Sequence, residues 1–276
     1  MTSRGLPSDR LIAALPAAHR TFLERALPLL AADERLIGVA AGGSLVLGTT
    51  DAFSDLDLVI GVEPAAYEAV LADRKPLAAQ LGRLLSAFTG EHVGEPRLLI
   101  CLYDEPLLHV DLKFVSEERL AERVEQPLIL WQRGARLSEA FAHGTARYPA
   151  PDLQWIEDRF WTWVHYVAMK LARGELFEAI DATSVMRAWV LGPLSLARAG
   201  ARPQGVRRIE FSAPEAVEPL KATLATYDRE SARAALHATV LAYRALRDAL
   251  ATDDLRRGTD AEAAAVRVLA ELSFAT

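Results

Sequence analysis

Three aspartates and a glycine-serine turn are the residues of this chain whose types and spacing could do chemistry. In the stretch 42-GGSLVLGTTDAFSDLDLVI-60, Asp55 and Asp57 stand one residue apart inside a hydrophobic run. Residues two apart on an extended strand share a face, so these carboxylates project together while Leu56 and Leu58 point the other way. Like charges that close repel. A divalent cation between them supplies the missing countercharge, and hard oxygen ligands suit Mg²⁺ or Mn²⁺. A third acid, Asp111 in HVDLKFV, sits in the middle of another apolar run. If its strand lies beside that of Asp57, three acids converge from two strands. Gly43 lets the backbone approach a ligand closely, and Ser44 can open a helix whose N–H groups and hydroxyl face an anion. Backbone donors at one end and metal at the other would hold a polyphosphate, which points to phosphoryl chemistry.

The elements that must position these residues follow from periodicity. Helical spacing runs from about 17 to 32, and 35–41 reads as a short buried strand stopped by Gly42-Gly43. A second strand covers 56–62. A helix follows from Pro64 to about Phe88, broken near Pro76. The runs 97–103 and 107–115, separated by Asp104-Glu105-Pro106, suggest a hairpin. A short charged helix at 117–124 and a last strand at 127–134 complete the first half. Small residues and two prolines at 144–152 mark a boundary, and helices are expected over 153–173, 175–198, 215–227, 230–251 and 260–272. The expected fold class is α+β, with a mixed sheet flanked by helices in domain 1–148 and an all-helical bundle in domain 149–276.

Composition narrows the function. With 276 residues, 51% hydrophobic and 25% charged, the chain can bury one large core or two medium ones, and its length favours two. A net charge of −6 argues against a protein that grips nucleic acid mainly by neutralising phosphates, and a cationic substrate is tolerated more easily. Cys101, the single cysteine, allows no intramolecular disulfide and no cysteine cluster for zinc, and its apolar setting reads as core. The first residues lack a basic segment followed by a long apolar one, and the longest uncharged run, 36–50, is shorter than the ~20 residues that span a bilayer. The expectation is a cytoplasmic protein that meets no membrane.

Gly43-Ser44 followed by 54-SDLDL-58 resembles the signature of the DNA polymerase beta-like nucleotidyltransferase superfamily, in which Asp111 would match the third acid on a later strand. Within it the chain is most similar to the small bacterial aminoglycoside and lincosamide nucleotidyltransferases, agents of antibiotic resistance that join such a domain to a helical substrate-binding one. The motif resemblance covers roughly 35–115, and a looser one centres on 170-KLARGELFEA-179. Gly42 departs from the pattern, which usually has a larger apolar residue there. The resemblance implies a transfer of a nucleoside monophosphate, AMP from ATP, onto a small-molecule hydroxyl. Asp55 and Asp57 would hold Mg²⁺, and Asp111 would share a second metal, act as general base on the acceptor, or both. Gly43 and Ser44 would bind phosphate. The assembly would be a monomer or a homodimer.

On the helix at 153–173, Ile156, Phe160, Val164, Val167 and Leu171 form an apolar stripe, and Arg159, Trp163, Tyr166 and Lys170 form a neighbouring row. Lys170 is either a phosphate ligand, as similar enzymes use, or a solvated lysine beside aromatic residues. Glu175, Glu178 and Asp181 are either acceptors for a polyamine or a solvated face, with Glu178 and Tyr166 the preferred substrate contacts. His109 and His165 have no metal-ligand spacing between them. Two other readings stay open. One is a nucleotidyltransferase acting on a protein or RNA end, resembling antitoxins whose helical partners carry an Arg-x5-His motif, here Arg159 and His165. The other is a non-catalytic nucleotide-binding protein of the same fold.

Overall fold

The apolar run after Arg35 becomes a strand buried along its whole length, β1 (Leu36–Ala41), because both of its faces meet apolar side chains. The computed structural model describes residues 7–272. It divides into two compact units, Met1–Arg147 and Tyr148–Thr276.

The first unit begins with two helices, α1 (Pro7–Ala14) and α2 (Ala17–Ala32), the first of which periodicity alone does not suggest. After β1 come α3 (Gly43–Leu47), β2 (Leu56–Val62), α4 (Tyr67–Gln80) and β3 (Arg83–Gly90). Then follow β4 (Glu95–Asp104), β5 (Leu108–Ser116), β6 (Leu128–Gln132) and α5 (Arg136–Ala142). The six strands lie in the order β3-β4-β5-β2-β1-β6. The sheet is mixed, as expected: β2 and β5 are parallel and the other neighbours antiparallel. The hairpin expected from Asp104-Glu105-Pro106 is the β4–β5 pair.

One face of the sheet carries Leu56, Leu58, Ile60, Val110, Leu112 and Phe114 into a core shared with α2 and α4. The opposite face is covered at one end, where Ile37, Ala40 and Val115 meet Leu137 and Phe141 of α5. Asp57 and Asp111, at the other end of that face, are only partly buried.

Three expectations change. The helix from 64 to Phe88 ends at Gln80, and 83–90 is the edge strand β3 paired with β4. Gly82 marks the change of structure; a Cβ there would lie 2.2 Å from Arg25 Nη2, so a larger residue would displace the Arg25 side chain. Pro76 does not break α4, since a proline removes one backbone bond and Val70, Leu77 and Ala78 hold the helix in the core. The charged helix at 117–124 is a single 3₁₀ turn, Glu117–Arg119, whose Glu117 is drawn to Arg136 while Arg123 is held by Gln126 and the Gly144 carbonyl.

The second unit is all-helical among the described residues: α6 (Leu153–Arg173), α7 (Leu176–Met186), α8 (Gly192–Arg198), α9 (Ile209–Ser212), α10 (Val217–Lys221), α11 (Arg229–Leu250) and α12 (Thr259–Ala270). A π-helical turn at Arg187–Leu191 divides the expected 175–198 helix, and the one expected over 215–227 shrinks to α10 and a 3₁₀ turn. The expected stripe of α6 is buried, and Phe160 stacks on Tyr243 of α11 at 3.8 Å. Among the described residues, no helix is long and apolar enough to cross a membrane.

Candidate active site

β2 and β5 run parallel with Asp57 opposite Asp111. Partners in a parallel pair point to the same face, and neighbouring strands lie about 4.8 Å apart, so the two carboxylates share one patch. Two unit charges at ~5 Å repel by about 3 kcal/mol at an effective dielectric of ~20. The strands nevertheless hold them in register, because Leu56, Leu58, Val110 and Leu112 on the opposite face are buried and a one-residue slip would expose them. Asp55 stands one residue ahead of β2, partly buried.

Gly43 opens α3 directly beside this patch. Its φ of +58° lies in the left-handed region, and a Cβ there would sit 2.0 Å from Asp57 Oδ2. Glycine suits the conformation, and any side chain here would displace the Asp57 carboxylate. The Gly42 amide donates to the Asp57 carbonyl at 2.9 Å, tying the end of β1 to the acid strand. The Ser44 hydroxyl lies 3.1 Å from that of Thr50, and the Thr49 amide donates to the Ser44 carbonyl at 3.0 Å, so the Gly-Ser turn and the loop before Asp55 are linked.

Two further residues reach this patch, of which Glu125 has no signal in the sequence. Glu125, 82 residues beyond the turn, accepts the Gly43 amide at 3.0 Å and brings another carboxylate to the glycines. His109, two residues before Asp111 and so on the same strand face, places Nε2 2.9 Å from Asp111 Oδ1.

Among the described residues, no group of three or more His, Cys, Asp or Glu side chains is gathered closely enough to hold a metal by protein ligands alone. Mg²⁺ does not require one. It usually keeps waters and binds through one or two carboxylates together with substrate phosphates. A pair of in-register aspartates on a partly open sheet face fits that demand.

The residues singled out on the helical unit also come together. Lys170 Nζ pairs with Glu175 at 2.6 Å and lies 5.2 Å from the centre of the Tyr166 ring. The Tyr166 hydroxyl donates to Glu178 at 2.6 Å. The hydrogen bond from Lys170 lowers the Glu175 carboxyl below its ordinary range, and the one to Glu178 raises the Tyr166 phenol. Phe177 and Tyr227, both largely exposed, lie 4.7 Å apart. Asp181 and His165 are exposed, while Arg159 stacks over Trp155 at 4.2 Å and donates to its carbonyl. Cys101 is buried, and burial pushes its thiol up to about 12, which makes it an inert core residue.

No family model matches the sequence, nor does any curated protein. Among solved structures, the chain is similar to an aminoglycoside 6-adenyltransferase from Bacillus subtilis, at 15% identity and a TM-score of 0.38 over 91% of this chain and 97% of that one. It is also similar to a nucleotidyltransferase-like protein from Exiguobacterium sibiricum, at 15% identity and a TM-score of 0.38 over 83% of this chain and 76% of that one. A third is the Thermotoga maritima CCA-adding enzyme complexed with tRNA, at 16% identity and a TM-score of 0.31, covering 90% and 70% of the two chains. At this degree of likeness, the chemistry is read from the chain's own residues.

Proposed function

We propose that this chain is a divalent-metal-dependent nucleotidyltransferase that moves a nucleoside monophosphate, AMP from ATP, onto a hydroxyl of a small molecule. The observation that carries this reading is the pairing of Asp57 with Asp111 across two parallel strands, with Gly43 packed on the Asp57 carboxylate. An acid opposite an acid calls for a cation, and a glycine amide beside them suits a phosphate.

In the proposed reaction, Asp55 and Asp57 would hold a metal-bound triphosphate, and Ser44 and the Gly43 amide, the latter exchanging Glu125 for a phosphate oxygen, would donate to its phosphates. Asp111 takes the proton of the acceptor hydroxyl, whose oxygen bonds to the α-phosphorus as the bond to the β-phosphate breaks and pyrophosphate leaves. Bound Mg²⁺ or Mn²⁺, as one ion or two, would neutralise charge developing on the phosphates. The first unit is the catalytic domain in this reading and the helical unit the substrate-binding one. The resemblance would make Tyr166 and Glu178 acceptor contacts and Lys170 a phosphate ligand. The acidic balance of the chain and the resemblance of its motif favour a cationic aminoglycoside or a lincosamide as acceptor.

The test is pyrophosphate release from each ribonucleoside triphosphate with Mg²⁺, against a panel of aminoglycosides and lincosamides, with Asp57→Asn as control. Release that requires one drug and Asp57 is the expected result. Undiminished transfer by a folded Asp57→Asn protein would overturn the assignment. Nucleotide binding without turnover moves the acceptor search to protein or RNA ends, and failure there leaves a non-catalytic binding protein.

A further inference from the structure

His19 is an unexpected residue on α2. The helix otherwise buries Phe22, Leu23, Ala26 and Leu30 in the sheet core, yet His19 is fully buried with them. Its Nε2 lies 2.8 Å from the carbonyl oxygen of Ser54, the residue before Asp55. An atom facing a carbonyl must carry the hydrogen, so Nε2–H donates and Nδ1 is left as an acceptor. Nδ1 is buried and has no hydrogen-bond partner among the described residues. Burying a polar atom without a partner is unfavourable, and what the imidazole gains in return is its bond to the Ser54 carbonyl, which leucine could not make. The role of an imidazole at this position therefore lies in that bond.

The loop that His19 holds gives the account. Residues 49–54 connect α3 to the acid strand and are fastened at both ends. At the first end, Thr49 and Thr50 are bonded to Ser44. In the middle, the Asp51 carboxylate accepts the Phe53 amide at 2.9 Å and the Ser54 hydroxyl at 3.0 Å, while the Ser54 hydroxyl accepts the Asp51 amide at 3.0 Å. At the far end, His19 takes the Ser54 carbonyl. Asp55 follows before the ladder of β2 begins at Leu56, so its backbone is set by this fastening rather than by strand pairing.

We infer that His19 is a positioning residue for Asp55: its Nε2–H fixes the Ser54 carbonyl and thereby the direction in which Asp55 presents its carboxylate to a metal-nucleotide. The inference rests on the proposed reading of Asp55 and Asp57 as the metal-nucleotide site. A glutamine at this position can place an amide N–H near the Nε2 point, whereas asparagine is too short and leucine has no donor.

The test uses the full-length chain with His19→Leu, His19→Asn and His19→Gln, and two readouts. Mn²⁺ binding in the presence of ATP is followed by electron paramagnetic resonance, and amide hydrogen exchange is followed across 49–56. His19→Leu and His19→Asn are expected to weaken Mn²⁺ binding about tenfold and to speed exchange in the loop. His19→Gln should stay within about twofold of wild type in both. Equal behaviour of the asparagine and glutamine proteins in both readouts overturns the inference, as does wild-type binding and exchange in His19→Leu. If His19→Leu does not fold, the asparagine and glutamine pair decides. If wild type itself binds no Mn²⁺ with ATP, the metal site fails, and loop exchange still decides whether His19 holds the segment.

Discussion

The two units treat a partly or wholly buried carboxylate in opposite ways. In the helical unit, Glu157 of α6 is 2% exposed and is met by donors on every side. Its Oε1 accepts from Trp161 at 3.1 Å, the Gly258 amide at 3.0 Å and Arg247 at 3.3 Å, and its Oε2 accepts from Tyr243. Burial disfavours the charge, yet these hydrogen bonds outweigh it and hold the carboxyl below its ordinary range. Arg247 continues the network to Glu262 at 2.6 Å, which fastens α12. In the first unit, Asp57 faces another acid in register, on a face that the core leaves partly open. A carboxylate surrounded by the chain's own donors is part of the fold. One held in register with a second carboxylate, with His109 beside Asp111, is the arrangement on which the proposed metal-nucleotide site rests.

The largest effects should separate the two kinds of acid. Asp57→Asn is expected to reduce nucleotidyl transfer by at least ~10³-fold, about 4 kcal/mol of transition-state stabilisation, while removing one of two like charges and so leaving the melting temperature unchanged or higher. Glu157→Ala should do the reverse. It leaves Arg247 to Glu262 but takes the acceptor from Trp161, Tyr243 and the Gly258 amide, and each stranded buried donor costs about 1–3 kcal/mol, read as a lower urea midpoint with transfer retained in the folded fraction. A Glu157→Ala protein as stable as wild type, or an Asp57→Asn protein that unfolds, would dissolve the distinction.

How much of this was legible follows from sequence distance. Aspartates inside apolar runs are visible because charge on a half-buried strand needs a reason, so Asp57 and Asp111 stand out, and period-two alternation places them on strands. Their register depends on a parallel pairing that no local pattern encodes. The strand β3 was hidden because Leu84, Leu85 and Phe88 continue the helical spacing of α4, and only pairing with β4 decides otherwise. Glu125 and His19 reach the site from 82 and 35 residues away, through single hydrogen bonds to backbone atoms. On the helical unit, Tyr166 with Glu178 and Lys170 with Glu175 were within reach, because their partners lie one helix apart across a short connection.

A smaller effect tests the glycine that separates the two designs. Gly43→Ala places a methyl group 2.0 Å from Asp57 Oδ2 and a side chain at a φ of +58°. The left-handed conformation costs an alanine roughly 1–2 kcal/mol, and the Asp57 carboxylate must swing away. Stability should fall by about that amount and transfer by about 10–100-fold, through weaker metal-nucleotide binding. Loss of stability with transfer intact would mean that the contact between Gly43 and Asp57 is packing alone.

The smallest effect concerns Glu95 of β4, a carboxylate intermediate between the two. Burial opposes its charge, but hydrogen bonds from Arg97 and Lys113 outweigh it and hold the carboxyl at about 2. Lys113 is two residues from Asp111 on the same strand face, and its Nζ lies 2.7 Å from Glu95. An unfolded glutamate titrates near ~4.3, so the folded group binds its proton more weakly than the unfolded one. Its contribution to stability is therefore complete above about pH 4.5 and is lost as pH falls towards about 2. Lys113→Met removes one donor and moves the folded carboxyl closer to its unfolded value, so the acid-sensitive window narrows from its lower end. The expected difference in melting temperature between wild type and Lys113→Met is about 2 °C at pH 6 and shrinks as pH falls through about 2. A difference that grows on acidification would place the role of Lys113 with another partner on that face.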